Sequence, residues 1–254
     1  MKIGLCTGLN RLEEAAALGF DYLELPLSDL TVLEEDAFEA LARRMESAET
    51  PVEACNVFYP GSVRLLDDNA EETVARYLER SLPRAARLGA KVCVFGSGGA
   101  RRRPESMEYD EAFRRLVRVT RQMGEAAAAF GLTIVIEPLN RGETNLINSV
   151  GEGACLRAAV NHPGVRLLAD YFHVSLDGEK PEDVARVGGI AHCHVATAVS
   201  RRWPTVPEEG LRRMFTAMKA TGYAGRVSVE GGSDCWAKDA PAALAVLRRM
   251  WQEA

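Results

Sequence analysis

Eight short apolar runs recur along the chain: IGLC (3–6), YLEL (22–25), VEACNVF (52–58), KVCVF (91–95), TIVIE (133–137), VRLLAD (165–170), IAHCHV (190–195) and VSVE (227–230). Their length suits β-strands. Between them, and after the last, lie longer stretches with the spacing of amphipathic helices, at 10–18, 34–48, 70–88, 108–130, 150–161, 181–187, 207–221 and 239–252. Several end on a glycine that leads into the next run, in LGF (18–20), RLGAKV (87–92), AFGLTI (129–134) and TGYAG (221–225). Glycine accepts the left-handed conformation that closes a helix, so these positions mark helix stops. Strict alternation of strand and helix implies parallel strands joined by right-handed crossovers. Eight such units predict closure into an α/β fold of the (β/α)8 TIM-barrel type. An open doubly wound sheet is the alternative, but its glycine-rich phosphate turn after the first strand is missing.

The length of 254 residues is close to that of one such barrel. Composition does not shift along the chain and no long linker breaks it, so a single domain over 1–254 is expected. Hydrophobic residues make up 47% and charged residues 26%, ordinary values for a globular protein with a large core. The formal net charge of −5 gives no invitation to nucleic acid or to an anionic membrane. The opening MKIGLCTGLN lacks a basic-then-apolar leader pattern, and no apolar run approaches the roughly 20 residues of a membrane span. Six cysteines form no CxxC pair and mostly sit in apolar runs. Buried free thiols in a reducing, cytoplasmic setting are expected rather than a disulfide frame.

The late strands finish on residues that can bind a metal or carry a proton: Glu137, Asp170, His194 and Glu230. In a barrel of this kind, strand C-termini converge on the active-site face. Each residue alone has a plainer explanation. Asp170 could be a helix N-cap, and His194 a satisfied core group. Three carboxylates at one mouth, however, would repel strongly unless a cation or shared protons neutralised them. Three carboxylates and an imidazole make a hard, oxygen-rich donor set, which favours Mn²⁺ first, then Mg²⁺ or Co²⁺; Zn²⁺ could still enter by raw affinity.

These segments resemble the xylose-isomerase-like sugar epimerases and isomerases, and among them the ketose 3-epimerases of the D-tagatose and D-psicose type. The resemblance covers essentially the whole chain. It is sharpest in EPLNRGETN (137–145), and extends to DYFH (170–173), HCHVA (192–196), VSVE (227–230) and FGSG (95–98). It implies metal ligation by Glu137, Asp170, His194 and Glu230, with Glu137 and Glu230 as the catalytic acid/base pair. It implies substrate contacts from Glu143 and His173, and from an arginine after the H-x-H segment, where Arg201 and Arg202 both stand. Gly142 replaces an aromatic residue of the family pattern, and Thr197 stands where relatives often have an acid. A homodimer or homotetramer acting on a small sugar or sugar phosphate is also implied.

The chemistry has its own rationale. Removing a proton next to a carbonyl leaves an enediolate, and a divalent cation stabilises that charge as it develops. One glutamate removes the proton and another returns it, which inverts the carbon; return to the neighbouring carbon gives aldose–ketose isomerisation. Hydroxypyruvate, inosose or sugar-phosphate isomerases and related lyases fit the same residues. An apurinic-site endonuclease shares the barrel but needs more histidines than the four present and a basic surface. RRRPE (101–105) reads either as an anion-binding segment or as a solvated loop. Trp203 reads as a pocket wall or a packed rim residue, His162 as part of a helix-end turn, and Asn56 as a candidate sugar contact.

Overall fold

The computed structural model describes residues 1–254. Its strands are β1 (Lys2–Cys6), β2 (Tyr22–Pro26), β3 (Val52–Asn56), β4 (Val92–Phe95), β5 (Thr133–Ile136), β6 (Val165–Asp170), β7 (Ile190–Val195) and β8 (Arg226–Val229). All pair in parallel with their neighbours in chain order, and β1 pairs with both β2 and β8, so the sheet is a closed barrel and not an open one. The helices are α1 (Leu12–Ala16), α2 (Leu27–Val32), α3 (Glu35–Glu46), α4 (Ala70–Arg87), α5 (Tyr109–Ala128), α6 (Val150–Val160), α7 (Tyr171–Leu176), α8 (Asp183–Val187), α9 (Glu209–Ala220) and α10 (Trp236–Glu253). The glycines expected to stop helices do so in the left-handed region, with φ of 82° at Gly19, 97° at Gly89, 66° at Gly131 and 77° at Gly222. Two helices, α2 and α7, have no counterpart in the sequence pattern. Each has only six residues, too few to show a helical period.

The strand residues alternate between two cores. Leu23, Leu25, Cys93, Phe95, Ile134, Ile136 and Leu167 pack outward with the helices, whereas Tyr22, Ala54, Val92, Val94, Val135 and Leu168 form a separate cluster inside the barrel. Burial on both faces is why the runs read as continuous apolar segments. Polar groups flank this cluster toward both ends of the barrel. At the N-terminal end, Glu53 accepts a hydrogen bond from Arg226 Nε at 2.5 Å and an ion pair from Lys2 Nζ. Burial pushes the Glu53 carboxyl up, but Lys2 and Arg226 outweigh it and hold it below its ordinary value. At the C-terminal end the strands open onto the residues described next.

Candidate active site

Glu137 follows β5, Asp170 ends β6, His194 lies in β7 and Glu230 follows β8, so four successive strands deliver the four side chains to one place. One donor atom from each lies within 4.8 Å of the other three. His194 Nδ1 faces two of the carboxylates, 3.3 Å from Glu137 Oε1 and 3.4 Å from Glu230 Oε2. Gly96, in the FGSG segment after β4, leaves the space: a Cβ there would stand 2.2 Å from Glu137 Oε2.

Asp170 uses its two oxygens differently. Its Oδ1 caps α7, accepting from the Phe172 amide at 2.8 Å. Its Oδ2 is buried without a hydrogen-bond partner. Burial raises the Asp170 carboxyl above its ordinary value; His173 opposes the shift, while Glu230 and Glu137 add to it. An orphaned, buried carboxylate oxygen is costly unless something positive completes it. Set among two further carboxylates and an imidazole, it fits a hard divalent cation.

Arg201 is the arginine that reaches the cluster. Its Nη2 lies 2.5 Å from Glu230 Oε2 and 3.6 Å from Asp170 Oδ2, and its Nη1 lies 3.3 Å from Glu143 Oε1. Arg202 turns away to pair with Asp234 at 2.5 Å. Ser200 and Arg201 both have positive φ, 68° and 47°, in the turn that aims the guanidinium inward. Gly231 accommodates this turn, because a Cβ there would meet the Arg201 carbonyl oxygen at 2.6 Å. Burial works against ionisation of Glu230, yet His194 and Arg201 prevail and bring its carboxyl to about 2.

His173, on α7, is buried beside Asp170, with Nε2 3.5 Å from Asp170 Oδ2. Its Nδ1 accepts from Asn140 Nδ2 at 2.8 Å, so the proton of the neutral ring belongs on Nε2. Asn140 Nδ2 also donates to Glu143 Oε1 at 3.0 Å, and Asn140 Oδ1 accepts from the Gly142 amide at 2.9 Å. Asn140 therefore ties together the two side chains expected to contact substrate. Asn140 is not among the residues singled out from the sequence, although the LNRG turn, with Asn two residues ahead of Gly, is an Asx-turn signal. Asn56, at the end of β3, donates to Glu230 Oε1 at 3.2 Å.

Beneath the cluster lies a second polar layer that the sequence reading did not isolate. Glu24 on β2 has one oxygen 2.8 Å from His194 Nε2 and the other 2.8 Å from His192 Nε2, all three side chains fully buried. Ser228 Oγ donates to Glu24 Oε2 at 2.5 Å and lies 2.6 Å from the Tyr22 hydroxyl. Burial pushes the Glu24 carboxyl up, but His194 and His192 outweigh it and hold it well below the usual range. His194 is correspondingly raised well above its ordinary value, with Glu24 and Glu230 overcoming burial.

The RRRPE segment is a loop with Arg102, Pro104 and Glu105 exposed, as one of its two readings expects, but Arg101 departs from it. Arg101 is fully buried and donates to the carbonyls of Phe95 at 3.1 Å and Glu137 at 2.7 Å, bracing the ends of β4 and β5. Arg102 donates to the Glu143 carbonyl at 2.7 Å and Arg103 to the Met107 carbonyl at 2.6 Å. Backbone carbonyls already hold all three. Trp203 is packed at the rim, edge-on to Phe20 and against Trp236, with Nε1 donating to the Gly231 carbonyl at 2.9 Å. His162 accepts from the Gly164 amide at 3.1 Å in the turn after α6. All six cysteines are free, but Cys155 and Cys235 are exposed, so not every thiol is buried.

A closed barrel with acids and an imidazole gathered at its strand C-termini defines a class of barrel enzyme. The model of the xylose isomerase-like TIM barrel matches residues 12–250, and the chain belongs to that family. D-psicose 3-epimerase of Agrobacterium fabrum is 24% identical over 229 residues, covering 86% of this chain and 77% of that one. A crystal structure of D-psicose 3-epimerase in the presence of D-fructose superposes with a TM-score of 0.87 at 19% identity, over 99% of both chains. The IOLI protein, solved with a bound zinc atom, superposes with a TM-score of 0.79 at 18% identity, over 100% of this chain and 99% of that one. The curated relatives are epimerases and isomerases, and the chain is an isomerase. No helix is long and apolar enough to cross a membrane.

Proposed function

We propose that the chain is a divalent-cation-dependent ketose 3-epimerase, with Glu137, Asp170, His194 and Glu230 as the cation's ligands. The observation that carries this is the convergence of their donor atoms within 4.8 Å, together with the unpartnered Asp170 Oδ2. Three oxygens and one nitrogen favour Mn²⁺, with Mg²⁺, Co²⁺ and Zn²⁺ as alternatives. Bound there, the cation supplies Lewis-acid stabilisation of the negative charge that develops on the substrate oxygens. Glu230, held ionised at neutral pH, takes or returns a proton at the substrate carbon, and Glu137 exchanges the other. Arg201 steadies the Glu230 carboxylate and, with Glu143 and His173, presents donors and acceptors to the sugar hydroxyls. His173 offers its Nε2 proton to a substrate oxygen, because Asn140 occupies its Nδ1. The substrate class is a small ketose, free or phosphorylated, and the protein is a cytoplasmic homodimer or homotetramer.

The test is proton exchange in D₂O followed by NMR, with Mn²⁺- or Mg²⁺-loaded protein and fructose, tagatose and psicose, then phosphorylated sugars. Deuterium at C3 with a new epimer, abolished by chelation, is the expected result. Deuterium at C1 or C2 moves the assignment to an aldose–ketose isomerase on the same residues. No exchange with any sugar despite bound cation overturns the epimerase reading.

A further inference from the structure

We propose that Glu24 is a positioning residue that fixes which nitrogen of His194 faces the acid cluster, and that His192 is its counterweight. The inference rests on the reading of His194 as a cation ligand. His194 Nδ1 points to Glu137 and Glu230, and its Nε2 lies 2.8 Å from Glu24 Oε1. An ionised carboxylate only accepts hydrogen bonds, so Nε2 carries a proton, and Nδ1 is the nitrogen whose proton a cation displaces to take up the lone pair facing the cluster. A carboxylate behind a ligating imidazole fixes the ring's orientation and raises its basicity as a donor. Glu24 differs from a simple pair in holding two imidazoles at once. His192 Nε2 occupies the other oxygen at 2.8 Å, and His192 Nδ1 has no partner of its own. His192 therefore faces no ligand; what it does is saturate Glu24. Ser228 and Tyr22 complete the layer, so the carboxylate has little freedom to rotate.

Glu24→Gln makes the experiment decisive. The amide offers one acceptor and one donor in place of two acceptors. One imidazole must then turn a bare nitrogen toward residue 24. If His194 turns, its N–H faces the cluster; if His192 turns, His194 keeps only a neutral acceptor. Mn²⁺ affinity falls in either case, by about 10- to 100-fold.

Two measurements decide it. Calorimetric titration of metal-free protein with Mn²⁺ is compared for the unmodified chain and Glu24→Gln, with thermal unfolding of the metal-free forms as the check on folding. Affinity reduced as stated in a variant that unfolds like the parent supports the inference. Unchanged affinity in a folded variant overturns it while leaving the cation site intact. An unmodified chain that binds no Mn²⁺ overturns both this inference and the function proposed above. The second measurement uses the unmodified chain, so it stands even where the variant does not fold. Long-range ¹H–¹⁵N NMR of the Mg²⁺-loaded protein should find both His192 and His194 protonated at Nε2 and bare at Nδ1. A proton on His194 Nδ1 in the loaded protein overturns the proposal.

Discussion

The two ends of the barrel use the same residue types to opposite effect. At the N-terminal end, the single acid Glu53 lies between Lys2 and Arg226 and is fully matched. At the C-terminal end, Glu137, Asp170 and Glu230 share one imidazole and one guanidinium, and Asp170 Oδ2 has no hydrogen-bond partner. A matched charge network closes a core; an unmatched one is held in place by the surrounding fold and is available to a ligand. Glu24 belongs to neither end, since it is matched by two imidazoles and one of these also faces the unmatched group.

The largest effect is expected at the upper end. Glu137→Gln and Glu230→Gln should each lower turnover by about 10²–10⁴-fold in a deuterium-exchange assay with cation present. Glu137→Gln should leave the thermal midpoint of the metal-free protein in place, because it relieves repulsion among the three acids, and a drop like that of a lower-end variant would erase the contrast; Glu230→Gln should lower it, because His194 and Arg201 hold that carboxylate ionised in the fold. Chelation should likewise stop exchange while leaving far-UV circular dichroism unchanged, since continuous strand pairing and an apolar core hold the barrel. His173→Ala removes one polar contact to substrate, so KM should rise by roughly five- to tenfold with the Mn²⁺ affinity retained. Loss of the cation with His173 would mean the ligand set is drawn wrongly.

At the lower end, Glu53→Gln should cost about 1–3 kcal/mol of stability in urea unfolding, as the donors it satisfies lose their charged partner, and should leave turnover unaltered. The pH dependence follows from the direction of its shift. A carboxyl held below its unfolded value stabilises the fold above that value, and the contribution is lost as pH falls through the depressed folded value. The difference in unfolding midpoint between the parent and Glu53→Gln should therefore be largest near neutrality and close up in the acid range below the ordinary carboxylate value of about 4.3.

Much of this was legible in the sequence for reasons the structure makes plain. Strands buried on both faces write long apolar runs, and a polar residue ending such a run stands out, as Glu137, Asp170, His194 and Glu230 did. The short helices α2 and α7 escaped because six residues carry no period. Glu24 escaped differently. It sits between Leu23 and Leu25, which pack outward, so period-two alternation already aimed it at the barrel axis. An acid pointing into a closed interior demands partners, and His192, two residues before His194 on the same strand face, was the available one. Arg101 could not be read at all, because its ligands are the main-chain carbonyls of Phe95 and Glu137, which any sequence supplies.

The turn carrying Arg201 has a consequence for affinity. Two consecutive non-glycine residues in the left-handed region cost on the order of 1–3 kcal/mol each, and the barrel absorbs that strain when it folds. The long arginine side chain is thereby stacked 4.9 Å above the Phe172 ring before any sugar arrives. Its rotational entropy has already been surrendered, so a ligand meeting it does not have to order it. Loosening the backbone at Ser200 would then weaken binding without removing a single contact.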